Sequence, residues 1–311
     1  MKSNVRYFIR VACHSLGGPV CMAAAAMLVG FNAQAQNLFV YGDTRISEFT
    51  PDGASTPFAT VTGAGVGLAF DSAGNLFVPN SRNGTITKIA PNGSQSIFAS
   101  GLTYPLALAF DNVGNLFVSD SEAGAIFKYT PGGVRSTFAT GPFEPFQFTF
   151  NRAGDLFAVG HDPSGNGLIY DFTPAGARST FATVPGEGVE GLAFDSAGNL
   201  FAAAGGSVGY IFKFSPEGVR STFASGLFEP ASLAFNGSGD LFVSQVGEPY
   251  IERFTPDGTG SAFESSVFAQ GLAFQPIPEP SIGTLLGMGA FVLLCVQKRD
   301  RSAQQRSLGP G

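Results

Sequence analysis

The sequence predicts an all-β chain, a six-bladed β-propeller of four-stranded antiparallel blades, closed by N- and C-terminal strands that share one blade. Three observations carry this. First, a column reading Leu68-Ala69-Phe70 recurs as Leu108-Ala109-Phe110, Phe148-Thr149-Phe150, Leu192-Ala193-Phe194, Leu233-Ala234-Phe235 and Leu272-Ala273-Phe274, with 39 to 44 residues between successive final phenylalanines. A period near 40 residues belongs to propellers or helical arrays. Second, each unit holds four short runs rich in Phe, Val, Ile and Thr, separated by Gly, Pro, Asn and Asp, which is strand-and-turn chemistry. Third, the runs are out of step with the chain ends, which decides how the ring closes.

Named a to d in order, the Leu-Ala-Phe column is run a. Run b opens with Leu38-Phe39, Leu76-Phe77, Leu116-Phe117, Leu156-Phe157, Leu200-Phe201 and Leu241-Phe242. Run c covers 46–49, 86–89, 126–129, 169–172, 211–214 and 251–254, and run d is built around Phe58, Phe98, Phe138, Phe181, Phe223 and Phe263. The first run is a b and the last is an a. Three N-terminal strands therefore lack an inner partner, and one C-terminal inner strand lacks a blade. Joined, residues 272–274 and 37–60 complete a sixth blade, and closure removes the open end of a solenoid. Eighteen of the 32 phenylalanines fall in the a, b and d columns. Recurrence at equivalent positions marks them as core, each worth about 1.5–3 kcal/mol when buried.

The turns repeat as well. Between a and b lie Asp71-Ser72-Ala73-Gly74-Asn75, Asp111-Asn112-Val113-Gly114-Asn115 and Asp195-Ser196-Ala197-Gly198-Asn199. Asp bonds its own backbone two residues on and Gly accepts positive φ, so these read as tight hairpins. Pro51-Asp52-Gly53, Pro91-Asn92-Gly93 and Pro256-Asp257-Gly258 do the same between c and d. The Asp-rich turns have too few ligands for calcium loops.

Composition narrows the function classes. Charged residues are 13% of the chain, about half the usual share. Hydrophobic residues make up 44%, which excludes a disordered chain. Residues 36–275 carry 10 basic and 21 acidic side chains, a net −11. Such a domain has no electrostatic footprint for nucleic acid. It would also repel an anionic polymer unless divalent cations bridge the two. Cys13, Cys21 and Cys295 all lie outside it, so no disulfide staples the ring.

The ends read as addresses rather than fold. Residues 1–35 have the order of a signal peptide: Lys2, Arg6 and Arg10, an apolar stretch over 20–31, then Ala33-Gln34-Ala35, with cleavage after Ala35. Residues 276–301 hold Pro278-Glu279-Pro280, an uncharged run over 282–296, then Lys298, Arg299 and Arg301. That run reaches about 22 Å as a helix, a short membrane span, and the basic residues place 302–311 in the cytoplasm. This tail resembles the PEP-CTERM sorting signal of Gram-negative bacteria. The resemblance implies that Pro278, Glu279 and Pro280 are recognised by an exosortase-type protease. The released protein would then go to the cell surface or exopolysaccharide matrix.

The segment 108–120, LAFDNVGNLFVSD, followed by Ile126-Phe127-Lys128-Tyr129, resembles the repeat of NHL-type propellers. The likeness spans 37–274 and extends loosely to gluconolactonases and streptogramin lyases. In such blades the b–c and d–a loops share one face, and here those loops vary while the turns opposite are monotonous. Loops on a rigid scaffold are where binding sits. The candidates there are Asn80, Asp120, Glu144, Glu190, Glu229 and Gln245, with Asn80, Asp120 and Gln245 at one place in three blades and expected to converge on the axis. His161, the one histidine left after signal removal, sits in a loop too short to hold a triad by itself, so no catalytic residue is assigned. Three readings stay open. The first is an exported scaffold binding polysaccharide or a surface protein, with no cofactor. The second, implied by the resemblance, is a metal-dependent lactone hydrolase or a streptogramin-lyase-like enzyme, with Ca2+ or Zn2+ on Asn80, Asp120 and Glu190. The third is a structural matrix protein.

Overall fold

The computed structural model describes residues 36–276, apart from 43, 62, 64, 142–145, 187, 206, 207 and 265. The signal segment with Ala33 and Ala35, the sorting residues Pro278, Glu279 and Pro280, the span 282–296, and Glu144 lie outside the described residues. Among those described, 24 strands form six four-stranded sheets, and none is a helix long and apolar enough to cross a membrane.

β1 (Leu38–Gly42), β2 (Arg45–Phe49) and β3 (Ser55–Thr60) open the chain. Blade one is β4 (Ala69–Phe70), β5 (Leu76–Asn80), β6 (Thr85–Ile89) and β7 (Gln95–Ala99). Blade two is β8 (Pro105–Phe110), β9 (Leu116–Asp120), β10 (Ala125–Tyr129) and β11 (Arg135–Thr140). Blade three is β12 (Phe148–Phe150), β13 (Leu156–His161), β14 (Gly167–Phe172) and β15 (Arg178–Val184). Blade four is β16 (Gly188–Phe194), β17 (Leu200–Gly205), β18 (Gly209–Phe214) and β19 (Arg220–Leu227). Blade five is β20 (Pro230–Phe235), β21 (Leu241–Gln245), β22 (Ile251–Phe254) and β23 (Gly260–Glu264). β24 (Gly271–Phe274) then returns to the start. It pairs antiparallel with β1, Leu38 opposite Phe274 and Tyr41 opposite Gly271, so the sixth blade runs β24-β1-β2-β3. Gln36 fastens the seam, its Nε2 donating to the Gln275 carbonyl at 2.9 Å and its Oε1 accepting from Gly237 N at 2.5 Å.

The b strands read as unbroken apolar runs because blades cover both their faces, and β5, β9 and β21 are buried along their whole length. The phenylalanine columns meet between blades. Each b-strand ring takes two edge-on partners, the d-strand ring of its own blade and the a-strand ring of the next. Phe117 sits 4.9 Å from both Phe138 and Phe150. Phe39 sits 4.9 Å from both Phe58 and Phe70 across the closing blade. Phe242, with Phe263 and Phe274 at 4.9 and 5.0 Å, completes the circuit. Edge-to-face pairs match positive ring edge to negative face and add about 0.5–1.5 kcal/mol beyond burial.

The a–b hairpins form as their sequence demands. Asp111 Oδ1 accepts from Val113 N and Asn115 N at 3.1 and 2.8 Å, and Gly114 takes a φ of 87°. In blades three and five the roles are swapped, Asn151 with Asp155 and Asn236 with Asp240. The outermost ladder slips in every blade, directly after the c-strand isoleucine: Ile46, Ile86, Ile126, Ile169, Ile211 and Ile251. Such bulges bend and twist a strand.

Candidate functional site

The a strands of all six blades line a central cavity of about 300 Å³, with Leu68, Leu108, Phe148, Leu192, Leu233 and Leu272 among its walls. The a–b and c–d turns lie at one end of the ring. The b–c and d–a loops lie at the other, and that loop face holds the candidate residues.

Asn80, Asp120 and Gln245 do occupy one place, the last residue of β5, β9 and β21. They face the loops, with little surface left open. Asp120 is 1% exposed, and its Oδ2 and Oδ1 accept from Thr103 N and Tyr104 N, both at 2.7 Å. Gln245 is 4% exposed, and its Oε1 accepts from Phe228 N at 2.7 Å. Asn80 Oδ1 accepts from Asn83 N at 3.1 Å and packs so closely on Gly63 that a Cβ there would collide with it. Loop amides have no ladder partner, and a polar side chain at the end of the b strand supplies one, to the d–a loop for Asp120 and Gln245 and to the b–c loop for Asn80. These residues hold the loop face in shape.

A different set comes together on its surface. Glu190 lies in β16, His161 ends β13, and Glu229 precedes β20. A Cβ on Gly188 would sit 3.4 Å from both Glu190 Oε1 and His161 Nε2, so the two groups flank one point. Glu190 keeps solvent access along part of its side chain, yet the surrounding loops withdraw enough water from its carboxyl to raise its pKa. The charge of His161 opposes that rise and the charge of Glu229 adds to it. Phe146 packs edge-on against the His161 ring, centroids 5.6 Å apart. Beside this cluster, Phe228 is 54% exposed, with Val246 and Val208 also open to solvent. Gly247 lies against the Phe228 ring, and Pro230 against Gly209, which keeps the apolar groups adjacent.

This arrangement offers carboxylates that accept hydrogen bonds from hydroxyls, an imidazole near a carboxyl, and exposed apolar side chains. The metal set expected from the sequence was Asn80, Asp120 and Glu190. Asp120 spends both oxygens on loop amides, and among the described residues no three His, Cys, Asp or Glu side chains gather to hold an ion. His161 was legible only as a lone histidine. Its neighbour Glu190 arrives from the next blade, and no local spacing reveals that.

Fold and face together define a six-bladed β-propeller with a polar and apolar loop-face site. The sequence matches no family model and no curated protein. Among solved structures, a chain of the nidogen/laminin complex is similar at a TM-score of 0.69, with 16% identity, over 78% of this chain and 99% of that one. A gluconolactonase from Xanthomonas campestris is similar at 0.57, with 15% identity, over 76% and 87%. Virginiamycin B lyase from Staphylococcus aureus is similar at 0.55, with 16% identity, over 75% and 85%. Likeness at this identity establishes the shared fold.

Proposed function

We propose that the chain is an exported propeller, released by an exosortase-type protease to the cell surface or exopolysaccharide matrix, where its loop face binds polysaccharide or a surface protein. The single observation that carries the binding reading is the exposed Phe228, Val246 and Val208 shelf beside Glu190, Glu229 and His161. Apolar groups set next to hydrogen-bond acceptors suit a sugar ring or a mixed protein surface. The similar propeller in the nidogen/laminin complex is an example of this fold working inside an assembly. The test is cosedimentation of the purified chain with isolated matrix. We expect saturable binding that falls about tenfold or more in Phe228→Ala and Glu229→Gln, since a lost anchor costs upward of about 1.4 kcal/mol. Undiminished binding by both variants would move the site elsewhere. No saturable binding at all would favour a structural matrix protein.

A second reading is favoured by one observation, the raised Glu190 carboxyl beside His161. A carboxyl whose pKa is raised by burial, next to an imidazole, suits general acid–base chemistry, such as lactone opening or elimination from a cyclic ester. Turnover of lactones or cyclic depsipeptides that is lost in Glu190→Gln and His161→Ala would establish it.

A further inference from the structure

The chain holds four Asn-Gly steps, Asn83-Gly84, Asn92-Gly93, Asn166-Gly167 and Asn236-Gly237. Such a step is chemically labile, because glycine has no side chain to keep its amide nitrogen away from the asparagine carboxamide. The fold treats the four differently. Asn166 Nδ2 donates to Asp162 Oδ2 at 2.8 Å, its Oδ1 accepts from Gly186 N at 2.9 Å, and Gly167 stands in the β14 ladders opposite His161 and Val184. Asn236 Nδ2 donates to Asp240 Oδ2 at 3.1 Å, its Oδ1 accepts from Ser238 N and Asp240 N, and Gly237 N donates to Gln36 Oε1. Asn92 Oδ1 accepts from Ser94 N and Ser94 Oγ at 3.1 and 2.8 Å, and Gly93 N donates to Ala90 O at 2.8 Å.

Asn83-Gly84 has neither restraint. Asn83 is exposed in the b–c turn of blade one, and among the described residues its carboxamide has no hydrogen-bond partner and Gly84 N donates to no acceptor. The corresponding glycine of blade two, Gly124, does donate, to Ser121 O at 3.1 Å. The backbone on either side of the reacting atoms is nonetheless held. Asn83 N donates to Asn80 Oδ1 at 3.1 Å, and Gly84 O accepts from Leu102 N at 3.1 Å. Gly84 takes a φ of 62°, and a Cβ there would overlap Leu102 O, so glycine alone fits. A fixed frame around two free groups keeps them close without tying either up.

We propose that Asn83-Gly84 is a site of self-modification, where the folded chain deamidates through a cyclic imide. Gly84 N attacks Asn83 Cγ, the N–Cγ bond forms as the Cγ–Nδ2 bond breaks, and the Gly84 amide proton leaves with Nδ2 as ammonia. Solvent water then opens the imide. Attack at the side-chain carbonyl gives aspartate, and attack at the backbone carbonyl gives isoaspartate, with the chain now running through Cγ. Water is the one co-reactant, and the exposed carboxamide meets it directly. Either product sets a new negative charge next to Arg82, and isoaspartate also lengthens the turn backbone by a methylene. The step concerns blade one and is independent of the binding proposed for Phe228 and Glu229 beside blade five.

The test incubates the purified full chain at mildly alkaline pH, native and in urea, until the urea-unfolded chain has converted. Peptide mapping by mass spectrometry, with fragmentation that separates aspartate from isoaspartate, follows all four steps. In the native chain Asn83 should convert about tenfold or more faster than Asn92, Asn166 and Asn236, since each of those must first give up two or more hydrogen bonds. In urea the four rates should converge, because the protection belongs to the fold. Asn83→Ser should abolish the early release of ammonia and leave the other three steps as slow as before. Another Asn-Gly step converting as fast as Asn83 in the native ring overturns the proposal, and so does a native chain whose Asn83 stays intact throughout. A product made of aspartate alone overturns the imide route, which yields both isomers.

Discussion

Replacing Phe39 by alanine tests whether the seam of the ring is as tight as its other interfaces. Phe39 is 2% exposed and makes two edge-on ring contacts at 4.9 Å, one of them to Phe70 in the next blade. Phe117 has the same two contacts at the same distances inside continuous chain. Truncating a buried phenylalanine removes its transfer free energy, leaves a cavity and deletes the ring pairs, about 3–5 kcal/mol in all. The matched geometry therefore calls for a loss of about 4 kcal/mol in each variant. At about 2–4 °C per kcal/mol for a domain of this size, Tm should fall by roughly 8–16 °C. Urea denaturation of Phe39→Ala and Phe117→Ala, followed by circular dichroism, measures both. A Phe39→Ala loss under about 2 kcal/mol beside a full loss for Phe117→Ala would refute the equivalence. It would mean that β24 and β1 close the ring more loosely than the packing indicates.

Asp120→Ala removes the acceptor of two loop amides and should destabilise by about 2–3 kcal/mol, with faster hydrogen exchange at Thr103 and Tyr104. Glu190→Gln should stabilise the chain at pH 7–8 and leave it unchanged near pH 4. A carboxyl whose folded pKa is raised favours the folded state while protonated, and that advantage is lost as pH climbs from the ordinary 4.5 through the raised value. Melting curves across pH check the sign, and equal Tm differences at both ends would contradict it. Glu279→Ala should accumulate a membrane-bound precursor in fractionated cells, whereas unchanged release would count against exosortase recognition.

The sheet plan was legible because a residue repeated every 40 or so positions repeats its environment, so strand type and blade count follow from the columns. Closure was legible for the same reason: Leu38 opens a b run with no a run before it, Phe274 ends an a run with no blade after it, and the two pair. The site was not legible in this way. Asn80, Asp120 and Gln245 share a column, and in the fold that column accepts from loop amides, Asn80 from its own b–c loop and Asp120 and Gln245 from the d–a loops. His161 sits one residue beyond it, because β13 runs one residue longer than β9, and meets Glu190 only through the neighbouring blade. Asp171 carried a readable signal. Aligning the c runs sets it against Lys88, Lys128, Lys213 and Arg253, a reversal of charge within the column.

The one-residue slip that ends every blade has a consequence for crowded conditions. A flat outer strand with free amides and carbonyls is a template on which another molecule's strand can grow, and a ring has six of them. A kink at the same point in each rim breaks the hydrogen-bond spacing that an incoming strand would need to match. Copies of this protein at high density can therefore touch along their perimeters without zipping into fibrils, and contact between rings is left to side chains.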